Sequence, residues 1–300
     1  MKMYVGITDY NWFKTLKQAN CDEVNFWKPG GRANFKALNP GDLFLFKLHS
    51  PKDYIVGGGF FLKFSMLPSS LAWDAFGIAN GANNLLELNN RIYKYKKTNR
   101  LSDPDPSIGC IILSMPFYFD EQDWIPVPSD WSSNIVQGKT YDTAKKTGLT
   151  LYEQVQEKLS FQRMLQPAVK EGRIIKPRIG QGAFKILIAD AYQRRCAITG
   201  EKTLPVLEAA HIKPYSMDGP HEINNGLLLR RDFHTLFDRG YITVDKNLTV
   251  EVSHRIKEDF GNGKEYYAHH GRKLIILPER KDQLPDPQYL EWHNENVYLG

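Results

Sequence analysis

The sequence of 300 residues lacks the features that define several large protein classes. Its three cysteines, Cys21, Cys110 and Cys196, are far apart and show no CxxC spacing. Such an odd, scattered set argues against a disulfide framework and against a zinc site made of cysteines alone. No apolar run approaches the roughly 18 residues of a membrane span, so we expect no membrane partner. The start has no apolar stretch of signal-peptide length, and Asp9 interrupts it early, so the predicted location is a reducing cytoplasm.

Phosphate loops, repeats and a strong net charge are also missing. The glycines of 57–59 are not followed by GxxxxGK or GxGxxG, so a strand bulge or close backbone approach explains them better than a phosphate cradle. We find no internal repeat and no low-complexity tract. The net charge is +5, hydrophobic residues make up 42% and charged residues 24%, which is typical of a soluble globular protein. Net charge alone therefore does not identify a nucleic-acid partner.

One short stretch concentrates positive charge. Between residues 91 and 100 there are five basic residues, two tyrosines and no acid. This composition is typical of a stripe that contacts phosphates, and a solvated helix or strand face explains it equally well. The basic residues that we take as candidate DNA contacts are Arg91, Lys94, Lys96 and Lys97.

The pattern of strands and helices predicts an α+β protein of two domains. Short aromatic runs bounded by turn residues predict strands at 43–48, 54–62 and 108–114, with short helices at 70–77 and 85–92. Residues 120–138 have the composition of an extended connector, and 149–168 have helical spacing. We predict a recognition domain over 1–145, a helical linker over 146–176 and a second domain over 177–300.

The second region has a different order of elements. Apolar spacing predicts an amphipathic helix over 182–195, followed by a turn at 196–200. Strands are predicted at 206–212 and 224–229, and a helix at 232–239 that Gly240 ends. The sequence thus predicts two short strands followed by one helix.

Four polar residues occupy key places in this strand–strand–helix frame. His211 ends the first strand, Asn225 starts the second, and His234 and Asp238 follow on the helix. Because His234 and Asp238 are four residues apart, they project from one helix face, where they could bind one divalent metal. A histidine on the facing strand could then act on a water molecule. Phosphodiester hydrolysis needs such a base together with a cation that neutralises the transition state and the leaving oxygen.

This frame resembles the ββα-metal fold of HNH endonucleases. The resemblance rests on Leu207–Pro214, Asn224–Leu229 and Phe233–Gly240, with spacings of 14, 9 and 4 residues between His211, Asn225, His234 and Asp238. Residues 178–184 and 196–200 are similar to bacterial HNH proteins described as restriction enzymes. The resemblance covers roughly 175–300 and implies a metal-dependent endodeoxyribonuclease that acts on double-stranded DNA.

The resemblance also implies a role for each residue. His211 would be the general base, and Asn225 would hold the loop and orient the His211 ring through its amide. His234 and Asp238 would bind the metal. Many relatives have a further metal ligand where this chain has Ala210. Glu208 lies on the same strand face with a longer reach, so we predict it as the substitute ligand.

The cofactor and the DNA contacts follow from the same resemblance. Relatives often have paired CxxC motifs, of which only Cys196 remains here, so no structural zinc is expected. A mixed shell of imidazole, carboxylate and water suits one Mg²⁺ or Mn²⁺ per active site. Arg178, Gln181 and Lys185 are candidate phosphate contacts because a helix start there could face DNA; helix capping and solvation explain them equally well.

The first domain resembles part of the EVE/PUA-like barrel. The resemblance covers about 60 residues and rests on the segments 34–50 and 55–60, where Asn, Gly-Asp, an aromatic strand ending His-Ser and Ile-Val-Gly follow one another. The superfamily reads modified or flipped bases, which require aromatic walls and polar readers. For any single aromatic residue, a place in the core is the simpler explanation. The candidate pocket residues are Trp27, Asn25, Trp73, Trp12, His49 and Asp9.

Together these resemblances predict a type IV-like restriction endonuclease. The first domain would bind a modified base, with modified cytosine as the favoured mark, and the HNH domain would cut nearby. One active site per chain implies a homodimer or two independent nicks. Three alternatives stay open: a sequence-specific HNH enzyme that cuts unmodified DNA, an idle HNH frame that binds RNA or regulates, and a phosphorothioate backbone as the mark.

Overall fold

The chain forms two compact units. The computed structural model describes residues 1–30, 34–165 and 179–300. The units are Met1–Gly180 and Gln181–Gly300. Within the described ranges, no helix has both the length and the apolar character needed to cross a membrane.

The first unit is built on a large mixed sheet. Its strands are β1 (Lys2–Thr8), β2 (Glu23–Lys28), β3 (Leu43–Leu48), β4 (Tyr54–Pro68), β5 (Ser107–Tyr118), β6 (Ile125–Pro126) and β7 (Gly138–Asp142). Its helices are α1 (Tyr10–Ala19), α2 (Ser69–Phe76), α3 (Leu85–Lys96) and α4 (Lys146–Leu165), with 3₁₀ turns at Gly77–Asn80 and Glu121–Asp123.

The strand order of this sheet is β2-β5-β4-β3-β1-β7, with β6 paired to β4. β1 and β3 are parallel, whereas the other pairs are antiparallel. The path ends at β2 and β7, and among the described residues these two strands do not pair with each other. The predicted α+β class is confirmed: six strands follow one path through the sheet, and β6 adds a seventh strand beside β4.

Burial on both faces explains why β3 is apolar at five of its six positions, with Lys47 as the exception. Successive side chains of a strand point to opposite faces. Phe44, Phe46 and Leu48 join the core on the side of α1, whose Trp12, Phe13 and Leu16 cover that face. Leu43 and Leu45 join a second core on the opposite side.

Helix α4 covers the second face of the sheet. Its Leu151, Val155 and Leu159 are spaced by four residues and pack in the same core as Leu43 and Leu45. The segment predicted as a linker, 146–176, therefore begins with a helix that belongs to the first unit. Its apolar stripe is buried against the sheet, which the helical spacing alone did not reveal.

The second unit contains the predicted strand–strand–helix frame. Its strands are β8 (Leu207–His211), β9 (Gly226–Arg230), β10 (Ile242–Val244) and β11 (Val250–Val252). Its helices are α5 (Gln181–Ala191), α6 (Arg231–Asp238), α7 (Arg255–Phe260), α8 (Lys264–Tyr267) and α9 (Pro287–Asn296). Short 3₁₀ turns lie at Leu204–Val206, Tyr215–Met217, Ile223–Asn225 and Lys281–Gln283.

A glycine lets helix α5 approach the strand pair closely. β8 and β9 are antiparallel, and His211 pairs with Gly226. A Cβ atom on Gly226 would lie 2.4 Å from Ile188 and 2.9 Å from Phe184 of α5. The hydroxyl of Tyr192 donates a hydrogen bond to the Gly226 carbonyl at 3.1 Å. This packing brings α5 to the end of β8, where His211 lies.

Candidate functional site

Helix α6 is oriented by two phenylalanines. Phe233 and Phe237 are fully buried and lie four residues apart, so they fix the inward face of the helix. His234 and Asp238 directly follow them along the sequence and share a neighbouring face. The apolar spacing of α6 thus turns the polar pair toward the strands.

The His211 ring is held between an aromatic ring and a second histidine. It stacks on Phe184, with the ring centroids 4.0 Å apart and the planes 10° from parallel. Its Nε2 lies 2.9 Å from Nδ1 of His221. Burial, with a smaller contribution from His221, lowers the pKa of His211 to about 4. The ring is therefore neutral at pH 7, the state that a general base requires.

Asn225 holds the loop that follows His211. Its side chain is fully buried. Its Oδ1 accepts a hydrogen bond from the Lys213 backbone N–H at 2.9 Å, and its Nδ2 donates to the Lys213 and Pro220 carbonyls, each at 2.9 Å. These three contacts close the loop between Lys213 and Asn225. The predicted contact between the amide and the His211 ring is not among them, because both amide hydrogens are used by the loop backbone.

Sequence reasoning missed His221. It lies in the loop between β8 and β9, and its ring stacks on Tyr215 with centroids 4.5 Å apart and planes 10° from parallel. No periodic pattern in the sequence points to this residue, because the loop is irregular. Its proximity to His211 depends on the chain reversal that Asn225 holds together.

His234 lies between two carboxylates. Its Nδ1 is 2.8 Å from Oε2 of Glu208, and its Nε2 is 3.2 Å from Oδ2 of Asp238. Burial lowers the pKa of His234, but the hydrogen bonds to Asp238 and Glu208 outweigh burial, so the net pKa is raised. Burial raises the pKa of Glu208, and its hydrogen bonds to His234 and Arg231 reverse the effect, so its net pKa is lowered.

Glu208 has a second cationic partner. Nε of Arg231 donates a hydrogen bond to its Oε1 at 2.7 Å. Ala210, where relatives have a metal ligand, is fully buried and paired with Leu227 of β9. Glu208 does reach His234, and its carboxylate is shared there between a guanidinium and an imidazole.

The predicted DNA contacts have different surroundings. Gln181 and Lys185 are exposed and lie four residues apart on α5, whereas Arg178 lies outside the described residues. In α3, Arg91 forms an ion pair with Glu87 at 2.5 Å, and Lys96 forms one with Asp103 at 2.7 Å. Lys94 and Lys97 are exposed. In the basic stretch, half of the predicted contacts therefore also serve local structure.

The first unit contains a cavity of about 290 Å³. Four of the six residues predicted for a base pocket line it: Asp9, Trp12, Trp27 and His49. Asn25 is not among the lining residues; its side chain is fully buried and donates a hydrogen bond from Nδ2 to Oδ1 of Asn80 at 2.8 Å. Trp73 lies half-buried on α2 and is not among the lining residues.

Trp12 and Trp27 are fixed by different contacts. Trp12 is buried and packs edge-on against Phe26 and Phe46, with ring centroids 5.3 and 5.1 Å away. Trp27 is half-buried, and its Nε1 donates a hydrogen bond to the Asn80 carbonyl at 3.0 Å. Trp12 thus forms part of the floor, and Trp27 is a wall whose orientation is held by one hydrogen bond.

The cavity also has lining residues that the sequence did not indicate. Tyr95 comes from the basic helix α3, and its ring centroid lies 6.2 Å from that of Trp27 in an edge-on arrangement. Tyr4 and Lys28 also line the cavity. Burial raises the pKa of Tyr4 and lowers that of Lys28. Tyr95 lies inside the basic stretch 91–100, and its position on the helix was the one signal in the sequence that could have indicated it as a cavity residue.

A family model matches part of the second unit. The family model described as HNH endonuclease matches residues 196–245, a range that includes His211, Asn225, His234 and Asp238. The chain carries an HNH endonuclease domain. The predictions of an HNH frame and of nuclease activity are confirmed by this match.

The chain is also similar to solved structures at low identity. With ASCH from Zymomonas mobilis it shares 8% identity and a TM-score of 0.33, over 50% of this chain and 94% of that chain. With the modification-dependent restriction endonuclease TagI it shares 12% identity and a TM-score of 0.28, over 92% of this chain and 75% of that chain. With the type IV phosphorothioation-dependent restriction endonuclease ScoMcrA it shares 10% identity and a TM-score of 0.19, over 77% of this chain and 48% of that chain. None of the curated proteins matches this chain.

The polar residues of the HNH domain suit one divalent metal, as HNH nucleases generally use. In the described ranges, no three His, Cys, Asp or Glu side chains converge as a ready metal-binding group. The reason is geometric, because Glu208 and Asp238 lie at opposite nitrogens of the His234 ring. An imidazole nitrogen and a carboxylate oxygen are suitable donors for a divalent cation. The other carboxylate would then hold the remaining ring N–H, a common arrangement around metal-bound histidine.

Cys196 has a structural place in the HNH domain. Its buried sulfur accepts hydrogen bonds from the backbone N–H groups of Thr199 at 3.4 Å and Arg230 at 3.3 Å. The thiol therefore fastens the 196–200 turn to the start of α6.

Proposed function

We propose that this protein is a modification-dependent DNA restriction endonuclease. The first unit would bind a modified base, and the HNH domain would hydrolyse DNA phosphodiester bonds. The observation that carries the proposal is the cavity of about 290 Å³, whose lining includes Asp9, Trp12, Trp27 and His49. A base reader is the chemical role that this combination of aromatic walls and polar groups fits best.

The cavity has the size and walls that one base requires. Its volume of about 290 Å³ lies just below the roughly 300–1,000 Å³ that is typical of ligand pockets. Trp27 and Tyr95 offer aromatic faces for stacking, and base stacking on aromatic side chains contributes about 1–3 kcal/mol. A whole duplex would not fit such a small space, so the base would have to leave the helical stack.

Modified cytosine is the mark that we propose. The Asp9 carboxylate lines the cavity, and one of its oxygens accepts the Trp12 backbone N–H at 2.8 Å. A carboxylate in this place prefers a base edge that presents an amino group, as N4 of cytosine does. Among the described residues that line the cavity there is no second carboxylate, which is consistent with a base that also presents acceptors.

In the HNH domain, His211 would act as the general base. Its neutral ring takes a proton from water, and the resulting hydroxide attacks the phosphorus atom. The bond from phosphorus to the 3′ oxygen breaks, and the 3′ oxygen takes a proton from solvent water, which leaves 5′-phosphate and 3′-hydroxyl ends. A divalent cation held by His234 and Asp238 would supply positive charge for the phosphate and the leaving oxygen. Asn225 would keep the loop closed through Lys213 and Pro220.

The proposal is tested with one plasmid prepared in three forms. Unmodified, 5-methylcytosine and 5-hydroxymethylcytosine DNA are incubated with the protein and Mg²⁺ or Mn²⁺. We expect cleavage of a modified form only. Equal cleavage of all three forms would contradict modification dependence and favour a sequence-specific enzyme that acts on unmodified DNA. The His211→Ala variant should bind the modified DNA and not cut it, and retained cleavage would contradict the assigned base.

A further inference from the structure

The two histidine rings at the end of β8 form a fixed pair. Nε2 of His211 lies 2.9 Å from Nδ1 of His221. Each ring also stacks on its own aromatic partner, His211 on Phe184 and His221 on Tyr215. Stacking on both outer sides limits rotation of the rings, so the contact between the two nitrogens is set by the surrounding packing.

The loop that carries His221 is closed by specific backbone contacts. The Asn225 amide donates a hydrogen bond to the carbonyl of Pro220, the residue directly before His221, at 2.9 Å. Gly219 packs so tightly that a Cβ atom there would lie 1.9 Å from the Lys213 carbonyl oxygen. These contacts fix the place of His221 relative to the end of β8. Asn225 therefore reaches the His211 ring indirectly, through Pro220 and His221.

Only one proton arrangement of this pair suits a general base. Two neutral imidazoles at hydrogen-bond distance must have one N–H donor and one acceptor. If His221 donated, Nε2 of His211 would be occupied as an acceptor and its Nδ1 would already be protonated. If His211 donates from Nε2, its Nδ1 keeps a lone pair and can take a proton. A base at position 211 therefore requires His221 to accept.

We propose that His221 is a positioning residue that holds His211 in the tautomer protonated on Nε2. This inference rests on the proposed role of His211 as the base. When Nδ1 of His211 takes a proton from water, the ring becomes an imidazolium with both nitrogens protonated. The existing bond from Nε2–H to the Nδ1 lone pair of His221 then stabilises the new positive charge, and no second proton has to move.

The wild-type protein tests the tautomer directly. Nitrogen NMR of the protein labelled with ¹⁵N-histidine distinguishes protonated from unprotonated ring nitrogens, and the His211→Gln variant identifies the His211 signals. At pH 7 we expect Nε2 of His211 to carry the proton and Nδ1 to be bare. A proton on Nδ1 would overturn the inference. This measurement needs no cleavage, so it stays informative if the proposed function fails.

Two variants of His221 test the effect on catalysis. His221→Phe keeps a ring beside Tyr215 but removes the acceptor. His221→Asn can place an amide oxygen where Nδ1 lies. We expect kcat to fall roughly ten- to hundredfold in the Phe variant, with KM changed less than about twofold, and the Asn variant to recover most of the activity. An unchanged kcat in the Phe variant, or an equal fall in both variants, would overturn the inference.

The outcomes separate this inference from the proposed function. If His211→Ala still cuts DNA, His211 is not the base, whatever tautomer the NMR shows. If His211→Ala is inactive and His221→Phe is fully active, the assignment of His211 as the base is supported and the positioning role of His221 is contradicted. Melting temperatures of both His221 variants check that the unit is folded, and the NMR result decides if the Phe variant is unstable.

Discussion

The Nδ1 atom of His234 lies 2.8 Å from Oε2 of Glu208, on the side of the ring opposite Asp238. The sequence predicts Glu208 and Asp238 as ligands of one metal, but the two carboxylates contact different nitrogens of the His234 ring. Glu208 is already bonded to Arg231, whereas Asp238 lies on the same helix face as His234. We therefore infer that a metal bound at Nε2 has Asp238 as its carboxylate ligand and Glu208 as the acceptor of the opposite N–H.

Substitutions of the two carboxylates should affect metal binding unequally. Asp238→Asn removes an anionic ligand, so we expect the half-saturating Mg²⁺ concentration to rise roughly a hundredfold. Glu208→Gln keeps an oxygen that can accept the His234 N–H, so we expect a rise of about tenfold. Metal titrations of cleavage, and Mn²⁺ calorimetry, measure both. A larger effect of Glu208→Gln would place the metal on the other side of the ring.

Trp27 should decide the affinity for modified DNA. Trp27→Ala removes a cavity wall, and removal of one stacked aromatic should weaken binding roughly ten- to hundredfold. Trp73→Ala is the matched control, because Trp73 is half-buried in the same unit but does not line the cavity. Binding is measured with catalytically inactive His211→Ala protein carrying each change. An equal decrease in both variants would contradict a base-binding role for the cavity.

The exposed lysines of the basic helix should contribute to the salt dependence of DNA binding. Replacing Lys94 and Lys97 by Gln should reduce the slope of log affinity against log salt by about 0.9 for each phosphate that is no longer neutralised. Lys145 and Lys146 are also exposed, so replacing them by Gln gives the same change in charge elsewhere on the first unit. A slope that changes equally in both double variants would indicate a general charge effect.

Arg91 should be more important for stability than for DNA binding. Its guanidinium donates to the Gly81 carbonyl at 2.8 Å and pairs with Glu87 at 2.5 Å, and its side chain is only 19% exposed. Arg91→Ala should destabilise the first unit by about 1 kcal/mol and leave the salt slope almost unchanged. Thermal unfolding and the salt titration separate the two effects. If Arg91→Ala reduced the slope of log affinity against log salt and left the thermal stability unchanged, Arg91 would be a DNA contact after all.

Acid should destabilise the second unit through His293. This ring donates from Nε2 to the Phe237 carbonyl and accepts the Thr243 hydroxyl at Nδ1, so the folded state favours its neutral form. Burial lowers its pKa to about 4. Between about pH 6.5 and pH 4 only the unfolded state binds the extra proton, so stability falls as the pH falls, by up to about 1.4 kcal/mol per pH unit.

The His293 prediction has a direct control. His293→Gln should be less stable at pH 7 but should be destabilised less than the wild type on going from pH 7 to pH 5. His254→Gln replaces an exposed histidine, and its unfolding midpoints at both pH values are the control for the loss of any one imidazole. The pKa of His211 is also lowered to about 4, so part of the acid sensitivity should remain in the His293 variant. Unfolding midpoints at the two pH values measure these slopes.

Much of the local structure could be predicted because it depends on short-range patterns. The aromatic run at Leu43–Leu48 forms β3 with the predicted bounds. The helix predicted at 232–239 is α6, Arg231–Asp238, since Phe233 and Phe237 repeat at helical spacing. The i, i+4 placement of His234 and Asp238 follows from that helix. These features need only the period of the backbone and the burial of apolar side chains.

Contacts between distant segments could not be predicted in the same way. Trp12 and Trp73 are both aromatic residues on helices, and only the packing of α1 against the sheet brings Trp12 to the cavity. Asn25 and Trp27 are two residues apart on β2 and both contact Asn80, yet Asn25 is fully buried and only Trp27 lines the cavity. Composition cannot show which residue lines a pocket, because that depends on what packs over each position.

The elements of the nuclease frame and the residues His211, Asn225, His234 and Asp238 follow from the sequence, because their spacing is set by two strands and one helix. The pairing of the side chains depends on tertiary structure. Packing places Glu208 and Asp238 on opposite sides of one imidazole, and it brings His221 to His211 through a loop closed by Asn225. Periodicity along the chain describes faces and elements, whereas hydrogen bonds across an irregular loop depend on how that loop closes.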